Sequence, residues 1–499
     1  MNDRQALRRD AVLAAACLVT LFFAWKSLAW PLVHDLPILL YEGFLTFDRG
    51  LVPYRDFFDM NPPGTLLVYG WLHRATGGAA LALRGADLLG MLGIGAATAV
   101  ALARHGWRSG LLAAATFAVL CFSAGPTNAL QREFLALLPL TLALALVFRA
   151  GRRPWALALA GFCAGVVFTI KPPLVLCWLP LWLHAALAEK APEQKPGGAL
   201  LRSALLLGGG ALVPVVAVAL WLAARGGLAA YLDIASHYYP LYTQLDGLGN
   251  LRPSGFAGFY QRWLSEMVPI LLHPYAVAGA AGLLLSARLP DRHLAAQSRT
   301  LAGVAAAAAL YLPISGKFWV YHQMPLYFAL AAGAGLLLSG ALPEASNKNK
   351  MLLLLAASWP FLAALCQLED FAQEEDLAQS RARQSERIAA YLEKYPEAKV
   401  LPLDTAEGAI RASYTRRQPL YGRFIYDFHF YHHPENPYIQ KLRQQLLDEL
   451  QNEAPEIVIE CQGWGKKATT TAAFPELETK LQSYETVLEE QDCQVRRRQ

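Results

Sequence analysis

The sequence predicts a polytopic α-helical membrane protein with about eleven transmembrane helices and a small C-terminal α/β domain. Of its 499 residues, 55% are hydrophobic and only 17% are charged, whereas an ordinary soluble domain carries about 25% charged residues. The acidic residues are unevenly placed: residues 1–367 contain 16 of the 39 Asp and Glu, and the last 132 residues contain the other 23. We therefore expect a membrane module over residues 1–367 and a soluble domain over residues 368–499.

Repeated apolar segments define the membrane module, because a helix that crosses a bilayer needs roughly 20 predominantly apolar residues. The predicted spans are 11–31, 80–103, 109–125, 130–149, 154–170, 172–188, 203–224, 265–286, 299–314, 321–341 and 351–367. Lys and Arg recur at alternate connections, which predicts that those connections and the N-terminus are cytoplasmic. An odd number of spans then places the C-terminal domain outside the cytoplasm. The Ala-, Leu- and Gly-rich helices are typical of a bacterial inner membrane, so we expect this domain in the periplasm.

The composition also restricts the partners and the redox chemistry. A net charge of +5, spread over membrane connections, forms no basic patch and argues against nucleic acid. Of the seven cysteines, five lie in apolar segments, where a thiol behaves as a small hydrophobe. Cys461 and Cys493 lie in the soluble tail, and the sequence leaves open whether they form a disulfide or remain thiols.

Two long connections, 32–79 and 225–264, are predicted on the outer face, and we expect function there. The first contains five acids, Asp35, Glu42, Asp48, Asp56 and Asp59. Asp35 follows the first span by only a few residues, so its carboxylate should lie near the membrane surface, where a lipid-borne substrate presents its head group. That position suits a general base; the alternative is that Asp35 caps the helix that follows.

Four motifs of this region resemble the first outer loop of GT-C glycosyltransferases, in particular bacterial lipid A aminoarabinose transferases and protein O-mannosyltransferases. They are Asp35, Tyr41-Glu42-Gly43, Pro53-Tyr54-Arg55-Asp56-Phe57-Phe58-Asp59 and Asn61-Pro62-Pro63-Gly64. The resemblance implies a polytopic enzyme that moves a sugar, with inversion, from a polyprenyl-phosphate donor to an acceptor. It also implies that Asp35 is the catalytic base. Many members carry adjacent acids at this position, whereas Leu36 follows Asp35 here, so Asp56 or Asp59 is the alternative base.

The resemblance extends to residues outside the first loop. Glu133 matches a second carboxylate at the outer end of a span; the alternative is a plain neighbour pair with Arg132. The leaving group is an anionic phosphate, which requires cations, and the clusters around Lys171 and His322 resemble family motifs. The residues expected at the donor phosphate are Arg55, Lys171, Lys317 and His322, and those expected at the substrate are Tyr54, Asn61, Tyr321 and Tyr239.

Some of these positions have a structural interpretation as well. Tyr239 belongs to an aromatic cluster that could stack on a sugar ring or form an interfacial belt. Lys26, Arg84 and Asp87 lie near span ends, where snorkelling or local pairing is expected. The predicted topology nevertheless places the charged residues that are candidates for the functional site on one side of the membrane.

The soluble tail alternates helix and strand. An acidic, Gln-rich helix ends near Tyr395 and is followed by a strand at 399–403, a helix near 435–453 and a strand at 456–460. This order predicts a small α/β domain. It contains no Gly-rich phosphate loop.

The sequence therefore predicts an inverting glycosyltransferase with a polyprenyl-phosphate-linked sugar donor and a glycan, lipid A or protein acceptor. The alternative is a transporter or flippase of lipid-linked glycans, which would need ionisable groups along a path through the bilayer. A third interpretation is a polytopic scaffold. The sugar, the acceptor and the use of a divalent cation such as Mg²⁺ or Mn²⁺ stay open.

Overall fold

The computed structural model divides the chain into two compact units, each of which is discontinuous in sequence. The helical unit comprises Met1–Ala29, Arg84–Ala217 and Ser254–Glu374, and the mixed unit comprises Trp30–Leu83, Val218–Pro253 and Glu375–Gln499. The structure describes residues 3–151, 153–188, 196–246, 250–252, 256–339, 347–405, 407–462 and 473–498. A domain boundary at residue 367 stays a prediction.

Apolar helices make up the helical unit, because a helix satisfies its own backbone polar groups within an apolar segment. They are Asp3–Ser27, Ala80–Ala101, Trp107–Ser123, Arg132–Ala150, Pro154–Ile170, Trp178–Leu183, Pro196–Ala224, Phe256–Leu272, Pro274–Ser286, Arg292–Ser315, Met324–Leu336 and Asn347–Cys366. Glycines allow some of them to approach closely. A Cβ at Gly282 would overlap the carbonyl oxygen of Gly333, so these positions hold Pro274–Ser286 against Met324–Leu336.

Fewer helices meet a strict spanning criterion than the eleven segments predicted. Among the described residues, Ala80–Ala101, Arg132–Ala150 and Gly197–Ala224 are long and apolar enough, and two bent helix pairs raise the number to at most five. One pair, Gln261–Leu272 with Pro274–Ser286, bends by 77° inside the predicted span 265–286. Several other predicted segments form apolar helices of 10–17 residues. The count of eleven therefore stays a prediction.

The mixed unit contains a four-stranded sheet with the order β1-β2-β4-β3. The strands are β1 (Val400–Leu403), β2 (Ile457–Cys461), β3 (Tyr484–Glu490) and β4 (Cys493–Arg498). β1 pairs with β2 in parallel, whereas β2 and β3 each pair with β4 in antiparallel orientation. Helices Leu368–Leu392, Gly408–Arg416, Pro437–Asn452 and Pro475–Leu481 accompany them. The predicted α/β character is confirmed, and β3 and β4 are additional strands.

Both segments predicted as long connections contain helices. The first contains Asp35–Phe47 and Pro63–Thr76, and the second contains Leu228–Tyr242 and the start of Phe256–Leu272. Eleven residues of Asp35–Phe47 are buried, and Tyr41 donates a hydrogen bond to the carbonyl of Gln418 at 2.9 Å. Burial of its apolar side chains within the mixed unit therefore stabilises helix Asp35–Phe47.

A disulfide joins Cys461 to Cys493 across β2 and β4, which settles the alternative that the sequence left open. Both cysteines belong to a core that includes Ile388, Val400 and Ile459. Gly408 lies against this bridge: a Cβ there would be 2.7 Å from Cys493 Sγ and 2.9 Å from Cys461 Sγ. The bridge and the start of helix Gly408–Arg416 therefore share one packed site.

Thiol counting tests the bridge. In the unfolded, unreduced protein, five cysteines should react with a thiol reagent, namely Cys17, Cys121, Cys163, Cys177 and Cys366, and all seven should react after reduction. Cys493→Ala should destabilise the protein by about 3 to 4 kcal/mol, since the bridge closes a loop of 32 residues and so restricts the unfolded chain. Cys366→Ala, at an exposed free thiol, is the control. Seven reactive thiols before reduction would contradict the bridge.

Candidate functional site

Helix Arg132–Ala150 begins directly after a tight turn. Gly125, with φ 83°, leads into the turn Pro126–Asn128, and Gln131 precedes the helix with extended backbone at φ −67° and ψ 157°. Glu133 consequently lies in the first helical turn, where the positive end of the helix dipole favours a carboxylate. Its side chain is completely buried.

Three side chains converge on one oxygen of Glu133. Lys171 Nζ lies 2.9 Å from Glu133 Oε1, Tyr311 donates a hydrogen bond to it at 2.6 Å, and His322 Nε2 lies 3.3 Å from it. A buried carboxylate is costly unless charges and hydrogen bonds compensate it. Glu133, Lys171, Tyr311 and His322 form what we call the Glu133 cluster.

The ends of helices bring these partners to Glu133. Lys171 follows the last residue of Pro154–Ile170, and the two prolines after it cannot continue an α-helix hydrogen-bond ladder. Tyr311 lies in the last turns of Arg292–Ser315, which ends at Gly316 with φ 63°. His322 lies in the short turn that follows, and its Nδ1 is 3.2 Å from Ser315 Oγ.

Aromatic rings surround His322, and further cations of this part of the chain are buried. The Tyr321 ring lies 4.8 Å from the His322 ring and perpendicular to it, and the Trp319 ring lies 5.3 Å away. Lys317 is 4% exposed and Arg132 is 8% exposed. The charge of Arg132 acts on Glu133 together with that of Lys171. Lys171 and Arg132 thus place two positive charges beside the single negative charge of Glu133, which suits the binding of an anion.

A second group of predicted residues lies in the mixed unit around Asp59. This carboxylate is fully buried, and its Oδ1 accepts hydrogen bonds from Met60 N at 2.7 Å, Asn61 Nδ2 at 2.8 Å and Tyr426 Oη at 3.0 Å. Tyr426 was not identified from the sequence, because it lies in the tail, far from Asp59 along the chain. The structure thus joins two predicted residues, Asp59 and Asn61.

Tyr54 and Tyr239 belong to the same unit. Tyr54 has φ 67° and donates its hydroxyl to the carbonyl of Asn61 at 2.5 Å. Burial raises the pKa of Tyr54 well above its usual value, so its hydroxyl keeps the proton that it donates. Tyr231 links the two tyrosines, since its ring lies 4.9 Å from that of Tyr54 and 6.4 Å from that of Tyr239.

Asp35 is the first residue of helix Asp35–Phe47, directly after His34 at the N-cap position. His34 Nδ1 lies 3.0 Å from Asp35 Oδ1, with the two side chains 27% and 21% exposed. His34 adopts φ 60°, unusual for a residue with a Cβ. Asp35 is therefore partly accessible and lies beside a group that can exchange protons.

Arg55 and Asp56 pair with each other. Two hydrogen bonds, at 2.7 and 2.9 Å, join the guanidinium to the carboxylate, and Asp56 also accepts from Val52 N at 2.7 Å. The hydrogen bond from Arg55 holds the pKa of Asp56 below its usual range. Arg55 Nη1 further donates to the carbonyl of Arg225 at 3.2 Å. These contacts fix the turn around residue 55.

The structure adds Tyr311 to the predicted residues. A hydroxyl within an otherwise Ala-rich apolar segment is the sequence signal that could have identified it, since polar groups in such segments usually find partners. No group of three or more His, Cys, Asp or Glu within reach of one metal ion occurs in the described part of the chain. Glu133 and Asp59 are each engaged by protein donors instead.

Comparisons with known proteins identify the fold. The sequence matches no family model and no curated protein. The crystal structure of ArnT from Cupriavidus metallidurans bound to undecaprenyl phosphate is similar with a TM-score of 0.61 and 16% sequence identity over 97% of both chains. The apo crystal structure of ArnT from the same organism gives the same score and identity over 96% of both chains. The chain has the fold of ArnT.

This likeness agrees with part of the sequence prediction. ArnT is a lipid A aminoarabinose transferase of the GT-C type, one of the two classes that the first-loop motifs resemble. The predicted architecture, an array of helices with a small C-terminal sheet, is confirmed at the level of the fold. At 16% identity, the likeness does not extend to substrate, and the similarity to protein O-mannosyltransferases stays a prediction.

Removing the carboxylate of the Glu133 cluster should destabilise the protein. Glu133→Gln should destabilise the protein by about 3 to 5 kcal/mol, because it leaves the charge of Lys171 poorly compensated in a buried site. Thermal unfolding of the full chain in detergent measures the effect. The control is Glu266→Gln, which breaks the exposed pair with Arg262 and should cost less than about 1 kcal/mol. Equal shifts in Tm for the two variants would contradict the assignment.

Proposed function

We propose that this protein is an inverting glycosyltransferase that moves a sugar from a polyprenyl-phosphate donor to an acceptor at the outer face of a bacterial inner membrane. The observation that carries the proposal is the Glu133 cluster, a buried site with an excess of cations. The cluster occurs in a chain with the fold of ArnT, and ArnT has been crystallised with undecaprenyl phosphate. A lipid phosphate is an anion that such a cluster is suited to bind.

The proposed role of the cluster is to hold the donor phosphate. Bond breaking between the anomeric carbon and the phosphate oxygen leaves a polyprenyl phosphate anion, and cations that are placed beforehand stabilise this charge. Lys171 and His322 are the proposed ligands, and Lys317 and Arg132 add positive charge. Glu133 anchors Lys171 and His322 through its Oε1, so its proposed role is to keep them in place.

Asp35 is the proposed base. A base must be reachable by the acceptor and must have an oxygen able to take its proton. Asp59 is fully buried and accepts three hydrogen bonds on one oxygen, and Asp56 is bonded to Arg55 through both of its oxygens. Asp35 and Asp56 are both partly exposed, with side chains 21% and 27% exposed, but Asp35 lies beside His34 rather than in a two-bond pair with Arg55. These contacts favour Asp35 over the two alternatives.

The remaining parts of the proposal concern topology and substrate. The bridge between Cys461 and Cys493 supports an oxidising compartment for the C-terminal part of the chain. Tyr54, Asn61, Tyr321 and Tyr239 are proposed to contact the substrates. The acceptor is a glycan, lipid A or a protein.

Replacing the proposed base should strongly reduce transfer while leaving donor binding intact. Asp35→Asn should reduce transfer by about 10²- to 10⁴-fold, since a positioned base contributes that much. The measurement is mass spectrometry of envelope lipids and glycans from cells that express each variant at equal membrane levels. Binding of undecaprenyl phosphate to the purified protein should be unchanged.

Asp448→Asn is the matched control for this experiment, because Asp448 is an exposed carboxylate of helix Pro437–Asn452. Its envelope should match that of the wild type. An unaltered envelope with Asp35→Asn would rule out Asp35 as the base. If, in addition, the wild-type protein moved lipid-linked sugar across vesicle membranes, the transporter alternative would replace the proposal.

Replacing the proposed phosphate ligand should act on binding. Lys171→Met removes one charge-assisted hydrogen bond, worth about 1.5 to 3 kcal/mol, and should weaken binding of undecaprenyl phosphate by about ten- to a hundred-fold. Arg104→Met removes an exposed cation of the helical unit and serves as the control. Equal affinities of the two variants would show that Lys171 does not hold the phosphate.

A further inference from the structure

A buried carboxylate outside the Glu133 cluster contacts the turn that precedes Glu133. Asp87 lies in helix Ala80–Ala101 and is 3% exposed. Its Oδ1 accepts a hydrogen bond from the backbone N–H of Leu130 at 3.1 Å. Its Oδ2 lies 3.9 Å from Nη1 of Arg84, one turn earlier in the same helix. Local pairing with Arg84 is what the sequence predicts; the bond to Leu130 is a tertiary contact.

Leu130 is a point of backbone strain. It has φ 50°, the left-handed region, which costs a residue with a Cβ roughly 1–2 kcal/mol. Leu130 also precedes Gln131, the residue that caps helix Arg132–Ala150. Its N–H consequently lies outside the regular hydrogen bonding of that helix, and a carboxylate from another helix accepts it. Strain of this kind persists where surrounding structure fixes it.

The same two helices contact each other further along. The Phe134 ring lies over Gly90, where a Cβ would be 3.0 Å from Cε1 of that ring, and the Leu138 side chain lies over Gly93 at 3.1 Å. Asp87, Gly90 and Gly93 are spaced by three residues and share one face of their helix. They contact Leu130, Phe134 and Leu138, which are spaced by four residues. Asp87 thus completes a row of contacts that sets the register of helix Ala80–Ala101 against helix Arg132–Ala150.

This register determines where Glu133 lies, because Glu133 is three residues after Leu130 and directly before Phe134. Its contacts with Lys171 and Tyr311, at 2.9 and 2.6 Å, leave little room for displacement. We propose that Asp87 is a positioning residue: through the N–H of Leu130 it fixes the start of helix Arg132–Ala150 and thereby the carboxylate of Glu133 within its cluster. The consequence for transfer rests on the proposed function, whereas the structural coupling does not.

Three variants of the full-length protein test the proposal. Asp87→Leu removes the acceptor at similar size, and Asp87→Asn keeps an oxygen that can accept from Leu130. The control, Thr98→Val, removes a buried hydroxyl of the same helix that donates to its own helix at Ile94. We expect faster hydrogen exchange in peptides covering residues 127–135 for Asp87→Leu and wild-type exchange there for Thr98→Val. Unchanged exchange in Asp87→Leu would overturn the proposal.

A double-mutant cycle separates positioning from a general structural role. If Asp87 acts through Glu133, the double variant Asp87→Leu with Glu133→Gln should lose less in Tm than the two single variants together. Additive shifts would mean that Asp87 stabilises the helix independently of Glu133, and would refute the proposal. If Asp87→Leu does not fold, Asp87→Ala, which also removes the acceptor of the Leu130 N–H, carries the test: it should speed exchange of residues 127–135, and wild-type exchange there would overturn the proposal.

Transfer activity supplies a further readout. A small displacement of catalytic groups can lower a rate by about a hundredfold, so we expect a ten- to hundredfold loss for Asp87→Leu and substantial recovery for Asp87→Asn. In the Glu133→Gln background, Asp87→Leu should cause little additional loss. If the wild type transfers no sugar, the proposed function fails, while exchange and the Tm cycle still decide the role of Asp87. Full activity in Asp87→Leu, with activity in the wild type, would overturn the proposal.

Discussion

The buried charge of Glu133 is the constraint on which the helical unit depends. A carboxylate that is completely removed from solvent must be compensated by protein groups, and here the compensation comes from Lys171, Tyr311 and His322. These partners lie at or near the ends of different helices. Compensating the charge of this one carboxylate therefore requires several helix ends to meet at one point. Because the compensating groups include cations, positive charge is concentrated at the same point.

In the mixed unit, protein groups likewise compensate the burial of the Asp59 carboxylate. This buried carboxylate is held by Asn61, two residues away, and by Tyr426, which comes from the C-terminal part of the chain. The backbone of this region is tied in the same way, because the N–H of Phe58 donates to the carbonyl of Arg423 at 2.6 Å. The C-terminal connection that carries Arg423 and Tyr426 thus supports an N-terminal segment that contains several predicted site residues.

Local chemistry made some of these features predictable. The apolar segments predicted helices because backbone groups in an apolar environment are satisfied most simply by helical hydrogen bonds. The tail alternates patterns of period 3.6 and 2, and its helix Pro437–Asn452 and strand Ile457–Cys461 lie within about two residues of the predicted ranges. Glu133, Lys171 and His322 could be predicted as site residues because ionisable side chains are rare in such apolar segments.

Other features depend on contacts between distant residues. The sequence placed 32–79 in a loop, whereas burial against the tail, as in the bond from Tyr41 to Gln418, makes much of it helical. Neither Tyr311 nor Tyr426 carries a local signal of its partner, since 178 residues separate Tyr311 from Glu133 and 367 separate Tyr426 from Asp59.

The sequence by itself determined the helical class, the α/β tail and the charged residues that an anion site would need. Tertiary structure alone decided which of those charges meet, that Asp59 is buried against Tyr426 while Asp35 stays partly exposed, and that Cys461 pairs with Cys493. The physical reason is that composition and periodicity reflect the environment of each residue along the chain. Hydrogen bonds, ion pairs and strained turns such as Leu130 depend on which distant segments pack together.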